Sequence, residues 1–290
     1  MTPDGGTTAA IQPTQLRTGD MLLMRSRGSL AALTAWFGES AYSHVALLGR
    51  AGYLIEVAAG GVVERALSQR LEDPALLAVD ARRPLSAAGD LQDNDRIAVL
   101  AHALSLRRPT FAGDALAALG RATALRDRSL PGSPQLRAVL SEALHHAAFD
   151  VAGAMSAGEF VYRCFAENPA QPRGRLAPNL SVAAPSSLPF PSLDWEELWR
   201  EISPYVRPAR REALRLDERG QPGSAQEVDE DEFAAALTQT RQRLGLMERG
   251  NAFLAMAGPR LPNPKCVRLR DLESSPSFLS LGGLLSAAAN

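Results

Sequence analysis

Residues 154–165 read AMSAGEFVYRCF and have the pattern of a helix start. Ser156 is followed three residues later by Glu159, which is a capping-box pattern, and the apolar residue Phe160 comes next. The free N–H groups and the positive dipole end of such a helix stabilise an anion, so its first turn suits a reactive thiolate. The residue in that turn is Ala157, which has no reactive group of its own.

The composition is that of a globular protein. The 290 residues are 46% hydrophobic and 22% charged, which allows a substantial core. The net charge of −1 provides no electrostatic footprint for nucleic acid or an anionic membrane, so no nucleic-acid partner is expected. The two cysteines, Cys164 and Cys266, are too few for a disulfide framework and favour a reducing compartment.

The N-terminal residues lack the basic start and apolar core of a secretory signal. No apolar run approaches the roughly 18 residues of a membrane span. We therefore expect a chain without a transmembrane segment that is cytoplasmic where it is made. Export by a route without a cleaved signal is compatible with both observations.

The first half of the chain is rich in strand signals. Residues 1–12 are expected to be a flexible lead before a single domain over 13–290. Three short apolar runs at 43–48, 53–58 and 62–65 are separated by glycines, and this spacing predicts an antiparallel meander. The sequence thus predicts an antiparallel sheet early in the chain.

Helical patterns dominate the second half. The Ala- and Leu-rich stretch 94–152 predicts several helices, and the quoted segment predicts another over 156–167. An amphipathic stripe predicts a further helix over about 229–249, within a mostly helical insertion at about 207–250. Together with the predicted sheet, these helices indicate an α+β fold.

Two polar residues lie where a buried strand would carry valine or isoleucine. His44 begins the first apolar run, and Glu56 is inside the second. If the two strands pair, these side chains can lie side by side, and Glu56 can hold the imidazole in one tautomer. The alternative for a lone histidine is a hydrogen-bonded structural role.

Taken in order, these motifs resemble those of a known family, the circularly permuted papain-like cysteine hydrolases. These belong to the NlpC-like superfamily, in its YiiX/YaeF-type branch, and are related to lecithin:retinol acyltransferase. The similar motifs, roughly within 15–165 and 260–282, are Gly19-Asp20, Ser43-His44-Val45, Ile55-Glu56-Val57-Ala58, Gly61-Val62 and Gly158-Glu159-Phe160-Val161-Tyr162.

The resemblance implies a permuted papain-like fold, with an antiparallel sheet packed against the helix that carries the nucleophile. It implies that His44 is the general base, that Glu56 orients it, and that position 157 holds a nucleophilic cysteine. Both polar side chains are then expected to converge on position 157. This chain departs from the pattern because it has Ala157 there.

With a cysteine at position 157, the family chemistry needs no metal and no cofactor. The resemblance implies an amidase or peptidase, or a lipid acyl-ester hydrolase or acyltransferase, that works through an acyl-enzyme. The partner would be a peptide amide or a lipid acyl substrate. A bacterial toxin or effector that acts on envelope peptide or lipid is one version of this hypothesis.

Ala157 has three interpretations. We favour an introduced cysteine-to-alanine replacement, because the residues expected around the nucleophile are all present. A natural pseudoenzyme that binds an acylated or peptidyl ligand is the second. A displaced nucleophile is the third, but Ser156 is engaged as the N-cap, and Cys164 lies seven residues on, about 10 Å along the helix.

The remaining histidines and thiols favour structural roles. His102, His145 and His146 fall in Ala- and Leu-rich segments without the ligand spacing of a metal site. Cys164 and Cys266 are expected to be buried small hydrophobic residues.

Two aromatic and apolar groups leave alternatives open. Trp195 and Trp199 favour core packing, but they could also wall a substrate cleft. One helix face, formed by Leu30, Leu33, Trp36 and Phe37, is expected to be core, or to hold an acyl chain if it is exposed.

Overall fold

A seven-stranded antiparallel sheet is the frame of the fold. The computed structural model describes residues 10–86, 89–107, 115–126, 133–149, 155–180, 188–206, 228–246 and 261–285. The strands are β1 (Met21–Ser26), β2 (His44–Leu48), β3 (Tyr53–Ala58), β4 (Gly61–Ala66), β5 (Leu76–Ser86), β6 (Gly89–Asp90) and β7 (Phe278–Leu285). Their order is β4-β3-β2-β1-β5-β6, and β7 also pairs with β5.

Helices pack against this sheet and against one another. The α-helices of the described residues are α1 (Ser29–Phe37), α2 (Leu67–Leu71), α3 (Asp93–Ser105), α4 (Ala115–Leu125), α5 (Pro134–Phe149), α6 (Ala157–Ala166), α7 (Trp195–Ile202), α8 (Glu230–Arg243) and α9 (Leu269–Glu273). Helix α6 contacts β2 and β3, whereas α4, α5 and α8 contact each other. The expected α+β class, with an antiparallel sheet packed against helices, is confirmed.

The predicted meander is present as strands β2, β3 and β4. Their antiparallel register pairs Leu47 with Ile55, and Ile55 with Glu64. Strand β1 extends this unit on its other side by pairing Leu23 with Val45. Each strand of the meander coincides with one of the predicted apolar runs, and short turns connect the strands.

Strand β7 was not predicted from the sequence. Its segment contains Gly282 and Gly283, and glycine weakens a strand signal because it adds no side chain to the pattern. The strand pairs with β5, almost two hundred residues earlier in the chain, through pairs such as Ala81 with Gly282. Strand β5 is eleven residues long, from Leu76 to Ser86.

Helix α6 is held against the sheet by its buried apolar face. Phe160, Val161 and Phe165 belong to the same core cluster as Val45 and Ile55 of the sheet. This cluster holds α6 against strands β2 and β3.

A second core lies among the helices that follow the sheet. Leu116 and Leu119 of α4 pack with Leu140 and Leu144 of α5. The two helices approach very closely at Gly120, where an added Cβ would lie 2.0 Å from the carbonyl oxygen of Ala143. This contact places α4 beside α1, so α4 becomes a wall of the site described below.

The helix predicted within the insertion is shorter than expected. The helix expected over about 229–249 runs only from Glu230 to Arg243. Gly245 follows with a φ of +70°, a left-handed conformation that ends a helix and that glycine adopts without a steric penalty. Of the expected insertion at 207–250, residues 207–227 and 247–250 lie outside the described residues.

The beginning of the chain is attached to the last strand. Residues 1–9 of the expected lead lie outside the described residues. The N–H of Ile11 donates to the carbonyl oxygen of Gly283 at 2.9 Å. Within the described ranges, no helix is both long enough and apolar enough to cross a membrane.

The contact at Gly120 can be tested by substitution. Gly120→Ala is expected to lower the free energy of unfolding by about 1–3 kcal/mol or more, since the added methyl group meets rigid backbone atoms. Urea unfolding measures the change. Gly60→Ala is the matched control because a Cβ at Gly60 would meet no atom within 4 Å. Equal stability of the two variants would contradict the close packing of α4 on α5.

Candidate active site

His44 and Glu56 form a hydrogen-bonded pair on neighbouring strands. His44 opens β2, and the register of β2 on β3 places Glu56 diagonally across from it. The Nε2 atom of His44 and the Oε2 atom of Glu56 are 2.9 Å apart. The His44 side chain is 20% exposed and that of Glu56 only 4% exposed. The carboxylate therefore lies behind the imidazole, away from solvent.

Two arginines also contact the buried carboxylate. Arg65 Nε lies 3.4 Å from Glu56 Oε1, and Arg70 Nε lies 3.7 Å from Oε2. Burial alone would raise the pKa of Glu56, but the hydrogen bond from His44 and the positive charges around it lower the pKa below its usual value. Glu56 is therefore an ionised hydrogen-bond acceptor at neutral pH.

This arrangement distinguishes the two ring nitrogens of His44. Because Nε2 is bonded to Glu56, a proton on Nε2 leaves Nδ1 with its lone pair. Among the contacts of the described residues, none involves Nδ1 of His44. Nδ1 is therefore the ring nitrogen of His44 that is left to accept a proton.

Ser156 caps helix α6 at its N-terminus, as the sequence predicts. The Ser156 hydroxyl accepts a hydrogen bond from the N–H of Glu159 at 3.1 Å. The predicted capping box is only half formed, because the Glu159 carboxylate instead contacts Arg163 Nε at 2.9 Å and Lys265 Nζ at 3.2 Å. The Glu159 carboxylate is thus bound by two charged side chains instead of by the backbone N–H of Ser156.

Ala157 is the first residue of α6, in the turn whose N–H groups have no partner within the helix. The N–H of Glu159 is bonded to Ser156 and that of Phe160 to the Ser156 carbonyl. The N–H groups of Ala157 and Gly158 have no partner among the described contacts. They are therefore the donors of this turn that can bind an anionic oxygen beside position 157.

His44 and Ala157 line one cavity of about 370 Å³. Its volume is in the range of ligand-binding pockets, about 300–1,000 Å³. Ser156 and Gly158 line it beside Ala157, but Glu56 is not part of its lining. Of the two polar side chains expected to converge on position 157, His44 shares the lining of this cavity with Ala157, whereas Glu56 contacts His44 from outside the lining. Val57 and Ala58, which follow Glu56 in β3, do line the cavity.

Basic side chains also line the cavity, and the sequence analysis missed them. Arg70, Lys265 and Arg268 are part of its wall. Burial lowers the pKa of Lys265, although Glu159 beside it acts in the opposite direction. No local pattern marks these residues, because a short helix and a distant tail segment bring them to the site.

The two native thiols lie away from the cavity. Cys164 and Cys266 are both free and buried, and neither lines the cavity. Burial raises the pKa of the Cys164 thiol well above its usual value. Both cysteines are therefore buried, as the sequence predicts, and a buried thiol in apolar surroundings is unreactive.

The remaining histidines do not approach the site. His102 lies 3.9 Å from Glu167, His145 Nδ1 lies 2.8 Å from the Ser141 carbonyl oxygen, and His146 lies 3.4 Å from Glu142. Burial lowers the pKa of His102. In the part of the chain that the structure describes, no three His, Cys, Asp or Glu side chains cluster in a way that could hold a metal ion.

The apolar face of α1 divides between the core and the cavity. Leu33, Trp36 and Phe37 are buried in the second core, as expected for a helix face, whereas Leu30 lines the cavity. Trp195 and Trp199 are half-buried against that same core and do not line the cavity.

Comparisons with known proteins add a distant structural likeness. No protein-family model and no curated protein matches the chain. Among solved structures, the chain is similar to one described as the metalloprotein YiiX from Escherichia coli O157:H7, DUF1105. The two share 14% identity, the likeness covers 92% of this chain and 97% of the other, and the TM-score is 0.41. At this level the likeness establishes neither the function nor the detailed fold.

The electrostatics of Glu56 predict a pH-dependent contribution to stability. Since its folded pKa lies below the usual 4.5, its contribution is fully present above that value and is lost as the pH falls through the folded pKa. Glu56→Gln is expected to cost about 1–3 kcal/mol near neutral pH, because it removes the charge that His44 and two arginines contact. The difference between parent and variant is expected to shrink in acid.

Urea unfolding at neutral pH and again about one to two units below the usual carboxyl pKa tests this expectation. Glu64→Gln on β4 is the control, since Glu64 pairs with Arg50 and Arg107, which are 66% and 44% exposed. Exposed pairs contribute little, about 0–1 kcal/mol. A pH-independent loss in Glu56→Gln, or an equal loss in the control, would contradict the proposed electrostatics.

Proposed function

We propose that this chain has the site of a thiol hydrolase or acyltransferase, with alanine at the nucleophile position. One observation supports the proposal most: His44, oriented by Glu56, lines the same cavity as Ala157 at the start of α6. A base, its orienting group and an anion-stabilising helix end are the requirements of nucleophilic acyl transfer. As it stands the chain cannot perform that chemistry, because a methyl group is not a nucleophile.

With cysteine at position 157, the residues present account for a complete acyl-transfer cycle. His44 removes the thiol proton, and the thiolate attacks the acyl carbon to form a C–S bond. The N–H groups of residues 157 and 158 hold the oxyanion. The C–N or C–O bond to the leaving group then breaks, and His44 returns the proton to that group. Water or another acceptor releases the acyl group and regenerates the thiol.

The second candidate function is ligand binding without turnover. It is favoured by Ala157 itself, since the cavity, the oriented histidine and the helix end are present without a nucleophile. Such a pseudoenzyme would capture an acylated or peptidyl ligand. The two functions differ in one property, which is whether His44 can activate a thiol at position 157.

The test is thiol labelling of the Ala157→Cys variant with iodoacetamide over a range of pH. We expect fast labelling with an apparent pKa well below the free-thiol value of about 8.5, because the helix end and a protonated His44 stabilise the thiolate. The chain with Ala157 measures the background, which the two buried native thiols are expected to keep low.

Two further variants make the result specific. Adding His44→Ala to Ala157→Cys is expected to slow labelling and to return the apparent pKa toward the free-thiol value. Ala118→Cys is the matched control, because Ala118 lines the same cavity from α4 rather than from the start of α6. Slow labelling at position 157 that does not depend on His44 would overturn the hydrolase proposal and favour the binding function.

A further inference from the structure

We infer that Lys265 is a positioning residue of the proposed reaction, which holds the Glu159 carboxylate and offsets its negative charge beside position 157. Lys265 lines the cavity together with Ala157 and Gly158. Its ammonium nitrogen lies 3.2 Å from Oε1 of Glu159. The inference rests on the proposed function, because it concerns the formation of a thiolate at position 157.

Glu159 places a buried carboxylate in the first turn of α6, two residues after the nucleophile position. Its side chain is only 1% exposed, so water screens its charge poorly. A thiolate at position 157 would be a second anion in the same turn, and a like charge nearby raises the pKa of the group that must ionise. The positive helix end favours both anions but leaves their mutual repulsion in place. A cation close to Glu159 is therefore required if the thiolate is to form readily.

Two cations contact this carboxylate. Arg163 Nε lies 2.9 Å from Oε1 of Glu159, and the Arg163 side chain also contacts Glu167 at 3.1 Å. Arg163 is on the next turn of α6, its side chain is 23% exposed, and it does not line the cavity. Lys265 is 12% exposed and does line the cavity, beside the start of α6. Of these two cations, Lys265 is the one that presents its charge to the cavity.

Lys265 is also the single lysine of the chain, in which all the other basic residues except histidine are arginines. Lysine carries its charge as a compact ammonium, whereas arginine distributes it over a planar fork. Burial lowers the pKa of Lys265, Glu159 raises it, and the positive charge of Arg121 lowers it further. Glu159 is thus the neighbour that favours the charged form of Lys265.

The backbone around Lys265 is fixed against the start of α6. Lys265 is the middle residue of a 3-10 turn over Pro264–Cys266, and its N–H donates to the side-chain oxygen of Asn263 at 3.1 Å. On the other side, a Cβ added at Gly158 would lie only 3.1 Å from the carbonyl oxygen of Val267. The tail segment therefore holds the ammonium close to the first turn of the helix.

Other charged or titratable groups line the cavity around position 157. They are His44 of β2, Arg70 of α2, Arg121 of α4, Glu201 of α7, Tyr205 after α7, and Arg268 of the tail segment. Arg70 contacts Glu56 and Asp73, Arg268 contacts Glu39 and Asp271, and Glu201 accepts from the N–H of Leu30. None of these groups is changed in the variants below, so the differences between variants report on Glu159 and its two cations.

The test measures the labelling of Ala157→Cys by iodoacetamide as a function of pH, with and without Lys265→Met. Iodoacetamide is uncharged, so Lys265 does not attract the reagent itself. We expect Lys265→Met to raise the apparent pKa of the thiol and to slow labelling at neutral pH by about tenfold, because Glu159 loses its cation on the cavity side. Lys265→Arg keeps a positive charge and is expected to retain most of the labelling rate.

Two further variants in the same Ala157→Cys chain separate charge from structure. Arg163→Met is the matched control, because it removes the cation that contacts Glu159 from outside the cavity lining. It is expected to slow labelling by less than about threefold, since a more exposed charge is better screened. Adding Glu159→Gln to Lys265→Met is expected to return the rate toward that of Ala157→Cys alone, because both charges are then absent. A merely structural role of the pair would not produce this return.

Thermal unfolding checks that each variant is folded. If Lys265→Met does not fold, Glu159→Gln by itself decides the question, because it is expected to lower the apparent pKa of the thiol and to speed labelling at neutral pH. An unchanged pH profile in the folded Lys265→Met chain or in Glu159→Gln would overturn the inference. An effect of Arg163→Met as large as that of Lys265→Met would overturn it as well.

This experiment separates the role of Lys265 from the proposed chemistry. If Lys265→Met raises the apparent pKa but His44→Ala does not slow labelling, the role of Lys265 stands and the hydrolase function fails. If labelling depends on His44 but not on Lys265, the function stands and the role of Lys265 is wrong.

Discussion

Glu56 is a carboxylate buried inside a sheet, and it can remain ionised there only with partners close by. Its partners come from three other elements, namely His44 on β2, Arg65 on β4 and Arg70 on α2. Contacts with the Glu56 carboxylate therefore connect the strands of the meander to the short helix α2 that follows them. The orientation of the imidazole follows from the same interaction, because the ionised carboxylate accepts from Nε2.

The start of α6 depends on contacts with the end of the chain. An added Cβ at Gly158 would lie only 3.1 Å from the Val267 carbonyl oxygen, and Glu159 pairs with Lys265. The first turn of the helix and the tail segment therefore pack closely, while β2 supplies His44 on another side of the same cavity. A cavity lined by an imidazole, a helix N-terminus and basic side chains results from three distant parts of the chain.

Local patterns were sufficient for several elements. The bounds of β3 agree with the apolar run that predicted them, and the Ser156 cap marks the start of α6. His44 and Glu56 were recognisable as polar residues in apolar runs, and pairing of adjacent strands is a short-range event. Strand β7 and the cavity-lining Arg70 and Lys265 were not predictable, because their roles depend on contacts with residues far away in sequence.

The sequence by itself determined the α+β class, the meander, the helix start and the two polar residues that interrupt the apolar strand runs. These features follow from side-chain periodicity and capping, which act over a few residues. Only the tertiary structure decided that His44 and Ala157 share a cavity while Glu56 lies behind the imidazole. It also decided that α1 and α4 both line that cavity, because the close approach of α4 to α5 at Gly120 is a contact between distant backbones that no local pattern encodes.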